Sequence, residues 1–144
     1  MISVIICSRQ SDITSEQRRN ILDTVGCECE LVIIDNSGKH YSIFSAYNEG
    51  VRKSKGDILC FVHDDVEFVS ANWGEKIIGH FDDKSIGIVG FAGSHMLSKS
   101  PMYWVEMPFY SEYNQINGVL SDNWMFPSKN IVDIVACDGF CFFC

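Results

Sequence analysis

The chain has 144 residues, enough for one domain with a real core, and 47% of them are hydrophobic, which excludes a disordered chain. A formal net charge of −8 argues against a nucleic-acid partner, because phosphate contacts need clustered lysine and arginine. No apolar stretch reaches the length of a transmembrane segment. No basic residues precede the first apolar residues, so we expect a first strand there rather than a signal peptide.

Apolar runs and amphipathic segments alternate through the first 91 residues. Strands are predicted at residues 2–7, 30–35, 57–62 and 86–91. Helices are predicted at residues 14–25, 42–53 and 72–81. This β-α-β-α-β-α-β order predicts an α/β fold with a mostly parallel central sheet, right-handed crossovers and helices on both faces.

Local signals support the predicted helices. Thr14 with Gln17, and Asn72 with Glu75, have the spacing of a capping box. The first helix has an apolar face of Ile21, Leu22 and Val25. The second has its apolar residues on one face at Ile43, Phe44, Tyr47 and Val51.

Polar side chains follow each of the first three predicted strands. They are Ser8-Arg9, then Asp35-Asn36-Ser37, then His63-Asp64-Asp65. Ligands of parallel sheets bind outside the carboxyl ends of the strands, so these groups predict a site at one sheet edge. Two adjacent carboxylates at the end of a buried strand repel each other, which favours either a solvated turn or a divalent cation.

Residues 92–129 differ in character, because they contain all three prolines and many aromatic residues. A hairpin turn is predicted at Asn117-Gly118. The aromatic residues form either a layer packed on the sheet or a wall facing a sugar: Tyr103, Trp104, Phe109, Tyr110, Tyr113, Trp124, Phe126. A further strand is predicted at residues 131–136, followed by Cys137-Asp138-Gly139-Phe140.

The chain has seven cysteines, an odd number, and two of them lie in strand-like apolar runs. We therefore expect them to be reduced thiols in a cytosolic protein. Cys137, Cys141 and Cys144 leave a zinc site open, although no fourth ligand is evident. The chain stops in the apolar run Phe142-Phe143-Cys144. We expect either a fragment or a covered end, and an unpaired apolar strand that promotes homo-oligomer formation.

The segment SAYNEGVRKSKGDILCFVHDDV, with LVIIDNS before it and CDGF after it, resembles family 2-type glycosyltransferases of the GT-A fold. The resemblance spans roughly residues 2–140, and its matching positions are Ala46, Asn48, Gly50, Gly56 and Asp57. Aligned on Gly56, the first acid of the family's DXD motif falls on His63 and the second on Asp65, with Asp64 between them. The family's usual catalytic base has no counterpart in the chain.

The resemblance implies a Rossmann-like GT-A fold, truncated at its C-terminus. It assigns residues 1–91 to nucleotide binding and residues 92–144 to the start of an acceptor-side part. The implied activity is a hexosyltransferase-like transfer from a nucleotide diphosphate-sugar to a glycan or other hydroxyl acceptor, with inversion. We expect the protein in the cytoplasm, either free or peripheral at the membrane.

The resemblance also implies roles for individual residues. Asp35 contacts the nucleotide, and the donor is further bound by Ser8, Arg9, Asn48, His63 and Asp64. Asp65, helped by Asp64, holds a divalent cation, Mn²⁺ or Mg²⁺, which needs only one or two protein carboxylates. Asp138 contacts the donor sugar or acts as the general base.

Two interpretations from other functional classes remain open besides a glycosyltransferase. A nucleotidyltransferase would also bind a nucleotide and a metal at a strand end, but its first loop is normally Gly-rich and basic, unlike SRQSDIT. The second interpretation is a catalytically inactive nucleotide-binding module or a receiver-like domain. Receiver domains place an acidic pair after the first strand, where this chain has Cys7-Ser8-Arg9.

Overall fold

A computed structural model describes residues 1–94, 109–111, 126–127 and 133–144. The chain forms two compact units. The first comprises Met1–Val89 and Gly139–Cys144, and the second comprises Gly90–Asp138. Within the described part of the chain, no helix has the length and apolar character needed to cross a bilayer.

The helices and strands follow the predicted alternation. The helices are α1 (Ser15–Thr24), α2 (Ile43–Lys53) and α3 (Trp73–His80). The strands are β1 (Ile2–Ser8), β2 (Cys29–Asp35), β3 (Ile58–His63), β4 (Val89–Gly90), β5 (Ala92–Ser94), β6 (Phe109–Ser111), β7 (Phe126–Pro127), β8 (Ala136–Cys137) and β9 (Cys141–Phe143). One sheet has the order β2-β1-β3-β9-β4 and a second has the order β7-β6-β5-β8.

The larger sheet is mainly parallel, as predicted. β1 pairs in parallel with β2 on one side and with β3 on the other. Ile2, Val4, Ile5 and Ile6 of β1 are fully buried, as expected for a central strand covered on both faces. These three strands therefore hold the polar residues that follow them at one edge of a rigid core.

The neighbour of β3 differs from the prediction. The sequence predicts that residues 86–91 form the fourth parallel strand, but β9 pairs antiparallel with β3 and β4 lies beyond it. Phe142 stacks on Phe61 with ring centroids 4.8 Å apart, and Phe143 is fully buried, 5.8 Å from the ring of Trp73. The prediction of an unpaired apolar strand at Phe142-Phe143 is therefore wrong, and this strand no longer supports self-association of the chain.

Helix α1 begins as predicted, with the Thr14 hydroxyl accepting a hydrogen bond from the backbone N–H of Gln17 at 3.1 Å. The Gln17 side chain does not complete a capping box. It is buried and donates to the backbone carbonyls of His63 and Val66 at 3.2 and 3.4 Å. Helix α1 is thereby tied to the turn that follows β3.

The predicted capping box of α3 is wrong. Asn72 has left-handed backbone angles, with φ of 58°, and its side chain makes no capping hydrogen bond. The reason is tertiary, because the turn packs against the end of α1. A Cβ atom at Gly26 would meet Asn72, and the N–H of Gly74 donates to the carbonyl of Val25 at 2.8 Å.

Helix α2 packs on the sheet through its smallest residues. Ala46 and Gly50 are its buried positions, and a Cβ atom on Gly50 would collide with Ile5 of β1. Much of its predicted apolar face is solvent-exposed, with Phe44 77% accessible. Close approach of the helix backbone to the strand therefore decides which face is buried.

The second unit contains a small sheet in which β5 pairs antiparallel with β6 and with β8, and β6 pairs in parallel with β7. The strand predicted at residues 131–136 is largely wrong in its bounds: among its described residues, 133–136, only Ala136 lies in a strand, β8 (Ala136–Cys137). The predicted turn at Asn117-Gly118 and the side chains of the predicted aromatic wall lie outside the described residues.

Candidate functional site

The carboxyl ends of β2, β1 and β3 lie side by side. Ser8 is the register partner of Asp35, and Cys7 is the partner of His63. Because all three strands run in the same direction, the polar residues that follow them emerge at one edge. The structure thus brings together three of the polar groups that the sequence predicts there.

Ser8 shapes the loop that follows β1. Its side chain is buried, and its hydroxyl donates to the carbonyl of Asp12 and accepts from the backbone N–H of Gln10, both at 3.1 Å. Asp12 in turn forms an ion pair with Arg18 at 2.8 Å. The Ser8 hydroxyl is therefore engaged in the loop itself, and it positions Arg9 at the sheet edge.

Arg9 is the centre of the site, because it links the loop after β1 to the acidic turn after β3. Its backbone N–H donates to Asp64 Oδ2 at 2.8 Å. Its Nε lies 3.0 and 3.1 Å from the two carboxylate oxygens of Asp64, and its Nη2 lies 2.7 Å from Oδ1. The same Nη2 donates to Asp65 Oδ2 at 3.1 Å.

The two adjacent carboxylates have different surroundings. The side chain of Asp64 is 13% exposed and that of Asp65 is 64% exposed. Burial disfavours the ionised form of Asp64, but the hydrogen bonds and charge of Arg9 outweigh it and hold the pKa of that carboxyl below its ordinary value. The pair also raises the pKa of Arg9, chiefly through the hydrogen bond to Asp64.

The backbone of His63 is fixed on both sides while its side chain is exposed. Its N–H donates to the carbonyl of Phe140 at 2.9 Å, and its carbonyl accepts from Gln17. Asn20 of α1 makes a reciprocal pair of bonds with the backbone of Phe68, at 2.9 and 2.8 Å. Gln17 is predicted only as a capping residue and Asn20 is not predicted at all, since a polar residue on a helix gives no signal of its distant partner in the sequence.

Asp35 lies at the end of β2 with an exposed carboxylate. Hydrogen bonds from the hydroxyl and the backbone N–H of Ser37 lower the pKa of Asp35, and the N–H lies 2.9 Å from Oδ1. Asn36 holds the same loop by bonding both backbone groups of Tyr41, at 3.0 and 2.9 Å. This second loop is therefore preorganised beside Ser8.

Two predicted site residues do not directly follow β1, β2 or β3 in the sequence. Asn48 is exposed on α2, and at 3.6 residues per turn it faces away from the buried positions Ala46 and Gly50. Asp138 belongs to the second unit, where its N–H donates to the carbonyl of Ala92 at 2.8 Å.

A small open recess of about 120 Å³ adjoins the Arg9–Asp64 pair. Its lining consists of Ser8, Arg9, Gln10, Asp12, Ile13, Thr14 and Asp64. Sites for whole drug-sized ligands are typically about 300–1,000 Å³. The recess alone therefore has room for a small polar group rather than for a complete nucleotide.

The acidic turn offers few protein ligands for a metal. Among the described residues, no three His, Cys, Asp or Glu side chains form a metal-binding group, and this includes the described positions of Cys137, Cys141 and Cys144. Asp64 is committed to Arg9 through both oxygens, whereas Asp65 uses one oxygen in a single contact. Mg²⁺ is commonly bound by one or two carboxylates with water and substrate phosphates, so Asp65 fits a cation whose shell a ligand completes.

The fold and the site define a mixed α/β protein with a mainly parallel central sheet and charged strand ends, consistent with a GT-A-like fold. The model of a glycosyltransferase-like family matches residues 3–143, and the chain belongs to this family. The match supports the resemblance to family 2-type glycosyltransferases and, more broadly, a transferase activity. Comparison with curated protein sequences gives no match.

Proposed function

We propose that the protein transfers a sugar from a nucleotide diphosphate-sugar to a hydroxyl group of a glycan or another acceptor, with inversion. The observation that carries this proposal is the juxtaposition of Asp35, Arg9 and Asp65 at the carboxyl edge of the sheet in a member of a glycosyltransferase-like family. This edge is where parallel sheets bind ligands.

The leaving diphosphate needs charge stabilisation, and the site contains groups suited to it. Asp65 would hold Mn²⁺ or Mg²⁺, with Asp64 and His63 beside it. When bound, such an ion acts as a Lewis acid on the phosphate oxygens. Arg9 has a side chain that is 73% exposed to solvent, and the planar donors of its guanidinium suit phosphate oxygens.

Other residues would orient the donor. The exposed carboxylate of Asp35 would accept hydrogen bonds from the base or ribose, because the Ser37 bonds keep it ionised and in place. Asn48 is a further candidate contact. Asp138, immediately before Gly139, is assigned to the donor sugar or to proton transfer from the acceptor.

The binding test is titration calorimetry with UDP and GDP in Mn²⁺, repeated in a chelator. Asp65→Asn removes the proposed metal ligand. Asp57→Asn is the matched control, because Asp57 is an exposed acid at the opposite end of β3, paired with the N-terminus at 3.5 Å. We expect Mn²⁺-dependent binding in the wild type and in Asp57→Asn, and none in Asp65→Asn. Equal nucleotide affinity in Mn²⁺ and in the chelator would show that binding does not depend on the metal.

Activity is tested by identifying the product that leaves. A glycosyltransferase releases a nucleoside diphosphate from the donor, whereas a nucleotidyltransferase releases pyrophosphate when it forms the sugar nucleotide. We expect nucleoside diphosphate release that depends on Asp65. Metal-dependent nucleotide binding without release of either product would instead assign the chain to the non-catalytic class.

A further inference from the structure

We propose that Arg9 is a built-in competitor of the metal: its guanidinium occupies one oxygen of Asp65, and a divalent cation gains the full charge of that carboxylate only by displacing it. The inference rests on the proposed function, because it assigns regulation to the same site. Arg9 then keeps the affinity for free cation low and makes cation binding depend on a diphosphate.

The contacts of Arg9 are unequal, which decides which of them yields. Asp64 receives the backbone N–H, both contacts of Nε and the 2.7 Å contact of Nη2. Asp65 receives one bond, at 3.1 Å, from an Nη2 already shared with Asp64. Exposed single ion pairs are weak, so the bond to Asp65 is the one that a divalent cation breaks.

The anchor of Arg9 prevents it from leaving the site altogether. Ser8 is buried and bonded within its own loop, and the backbone N–H of Arg9 holds the largely buried carboxylate of Asp64. The side chain of Arg9 is mostly exposed, so its guanidinium can turn toward solvent without breaking that backbone bond. Asp64 is thus a positioning residue that keeps a positive charge beside Asp65.

The charges explain why a diphosphate would relieve the competition. Two carboxylates and one guanidinium leave a local charge of −1, and a dication at Asp65 would sit beside the positive charge of Arg9. A diphosphate supplies oxygens that can bind both the cation and the freed guanidinium, which forms strong bidentate bonds with phosphate. Cation and diphosphate should therefore bind cooperatively, and couplings of this kind are typically about 5–150-fold in affinity.

The experiment measures Mn²⁺ binding from the electron paramagnetic resonance signal of the free ion, without nucleotide and then with UDP. Arg9→Gln removes the competitor. Arg18→Gln is the matched control, because it removes the same charge from a neighbouring ion pair, that of Arg18 with Asp12. Circular dichroism first establishes that each variant is folded.

Without nucleotide, we expect Arg9→Gln to bind Mn²⁺ at least about 5-fold more tightly than the wild type, the lower end of such couplings. Arg18→Gln should stay within about twofold, since salt screens separated surface charges. With UDP, the gain in Mn²⁺ affinity should be smaller in Arg9→Gln than in the wild type. Binding by Arg9→Gln that is no tighter than that of the control would overturn the inference.

If Arg9→Gln does not fold, Arg9→Lys decides the question. A lysine ammonium is a point charge that cannot bridge both carboxylates as the guanidinium does. Tighter Mn²⁺ binding than in the wild type is expected, and unchanged or weaker binding would refute the competition. Failure of the proposed function is distinguishable: absence of UDP binding at every Mn²⁺ concentration would reject it, while the comparison without nucleotide still tests Arg9.

Discussion

Removing the charge of Asp64 and removing that of Asp65 should affect different properties of the protein, although the two residues are adjacent. We expect Asp64→Asn to destabilise the fold and Asp65→Asn to abolish metal-dependent nucleotide binding with little effect on stability. The reason is that Asp64 is largely buried and held by Arg9, whereas Asp65 is exposed and makes one contact.

The magnitude for Asp64→Asn comes from its contacts. The asparagine retains one oxygen for the Arg9 backbone N–H, but its NH2 group cannot accept a hydrogen bond from the guanidinium. Hydrogen bonds to charged groups contribute about 1.5–3 kcal/mol. Because the side chain of Arg9 is mostly exposed and its charge is screened, we discount this to a loss of about 1–2 kcal/mol. For Asp65→Asn, a surface change, the expected effect is within about 0.5 kcal/mol.

The assay pairs urea unfolding at neutral pH with calorimetry of UDP in Mn²⁺, performed on the same preparations of both variants. Circular dichroism establishes that each variant is folded before binding is compared. The expected pattern is a lower urea midpoint for Asp64→Asn and lost metal-dependent binding for Asp65→Asn. If Asp64→Asn alone loses metal-dependent binding while keeping wild-type stability, then Asp64 is the metal ligand and the alignment on Gly56 is off by one residue.

Two further predictions concern the scaffold. Gly50→Val should destabilise the fold by about 1–3 kcal/mol in urea unfolding, because its side chain would overpack against β1. Gly79→Ala, in α3 with open space around it, is the control and should lose no stability. Hydrogen bonds, chiefly the one from Ser3, lower the pKa of Glu30 in the folded chain. The ionised carboxylate therefore stabilises the fold above its ordinary pKa near 4.5, and this stabilisation is lost as the pH falls through the lowered pKa of the folded state. Glu30→Gln should therefore reduce the loss of stability on acidification through that range.

These two predictions have clear contrary outcomes. Equal urea midpoints for Gly50→Val and Gly79→Ala would mean that α2 can move away from Ile5 at no cost. An unchanged acid dependence in Glu30→Gln would mean that the carboxylate has the same affinity for protons in the folded and unfolded chains.

Local patterns in the sequence predict the α/β class, the mainly parallel sheet and the edge where polar residues gather. The apolar runs that became β1, β2 and β3 are separated by helical segments, and that alternation allows few topologies. The positions of Ser8, Asp35 and His63 followed, because residues at the carboxyl ends of adjacent parallel strands must be neighbours.

Long-range packing decided what those patterns could not. Helix α2 buries Ala46 and Gly50 rather than its larger apolar residues, since backbone proximity to Ile5 leaves no room for a side chain at Gly50. Asn72 adopts a left-handed conformation where the sequence predicts a capping residue. Both outcomes depend on contacts between segments far apart in the chain, which local periodicity does not encode.

The sequence by itself determined that two acids follow a buried strand, which favoured either a solvated turn or a cation beside them, because adjacent carboxylates repel each other. Only the tertiary structure decided that a cation of the chain's own, Arg9, lies between them. Arg9 and Asp64 are 55 positions apart, and parallel pairing of β1 with β3 brings them into contact. The physical reason is that an ion pair depends on distance in space, which the register of the strands sets and the order of residues does not.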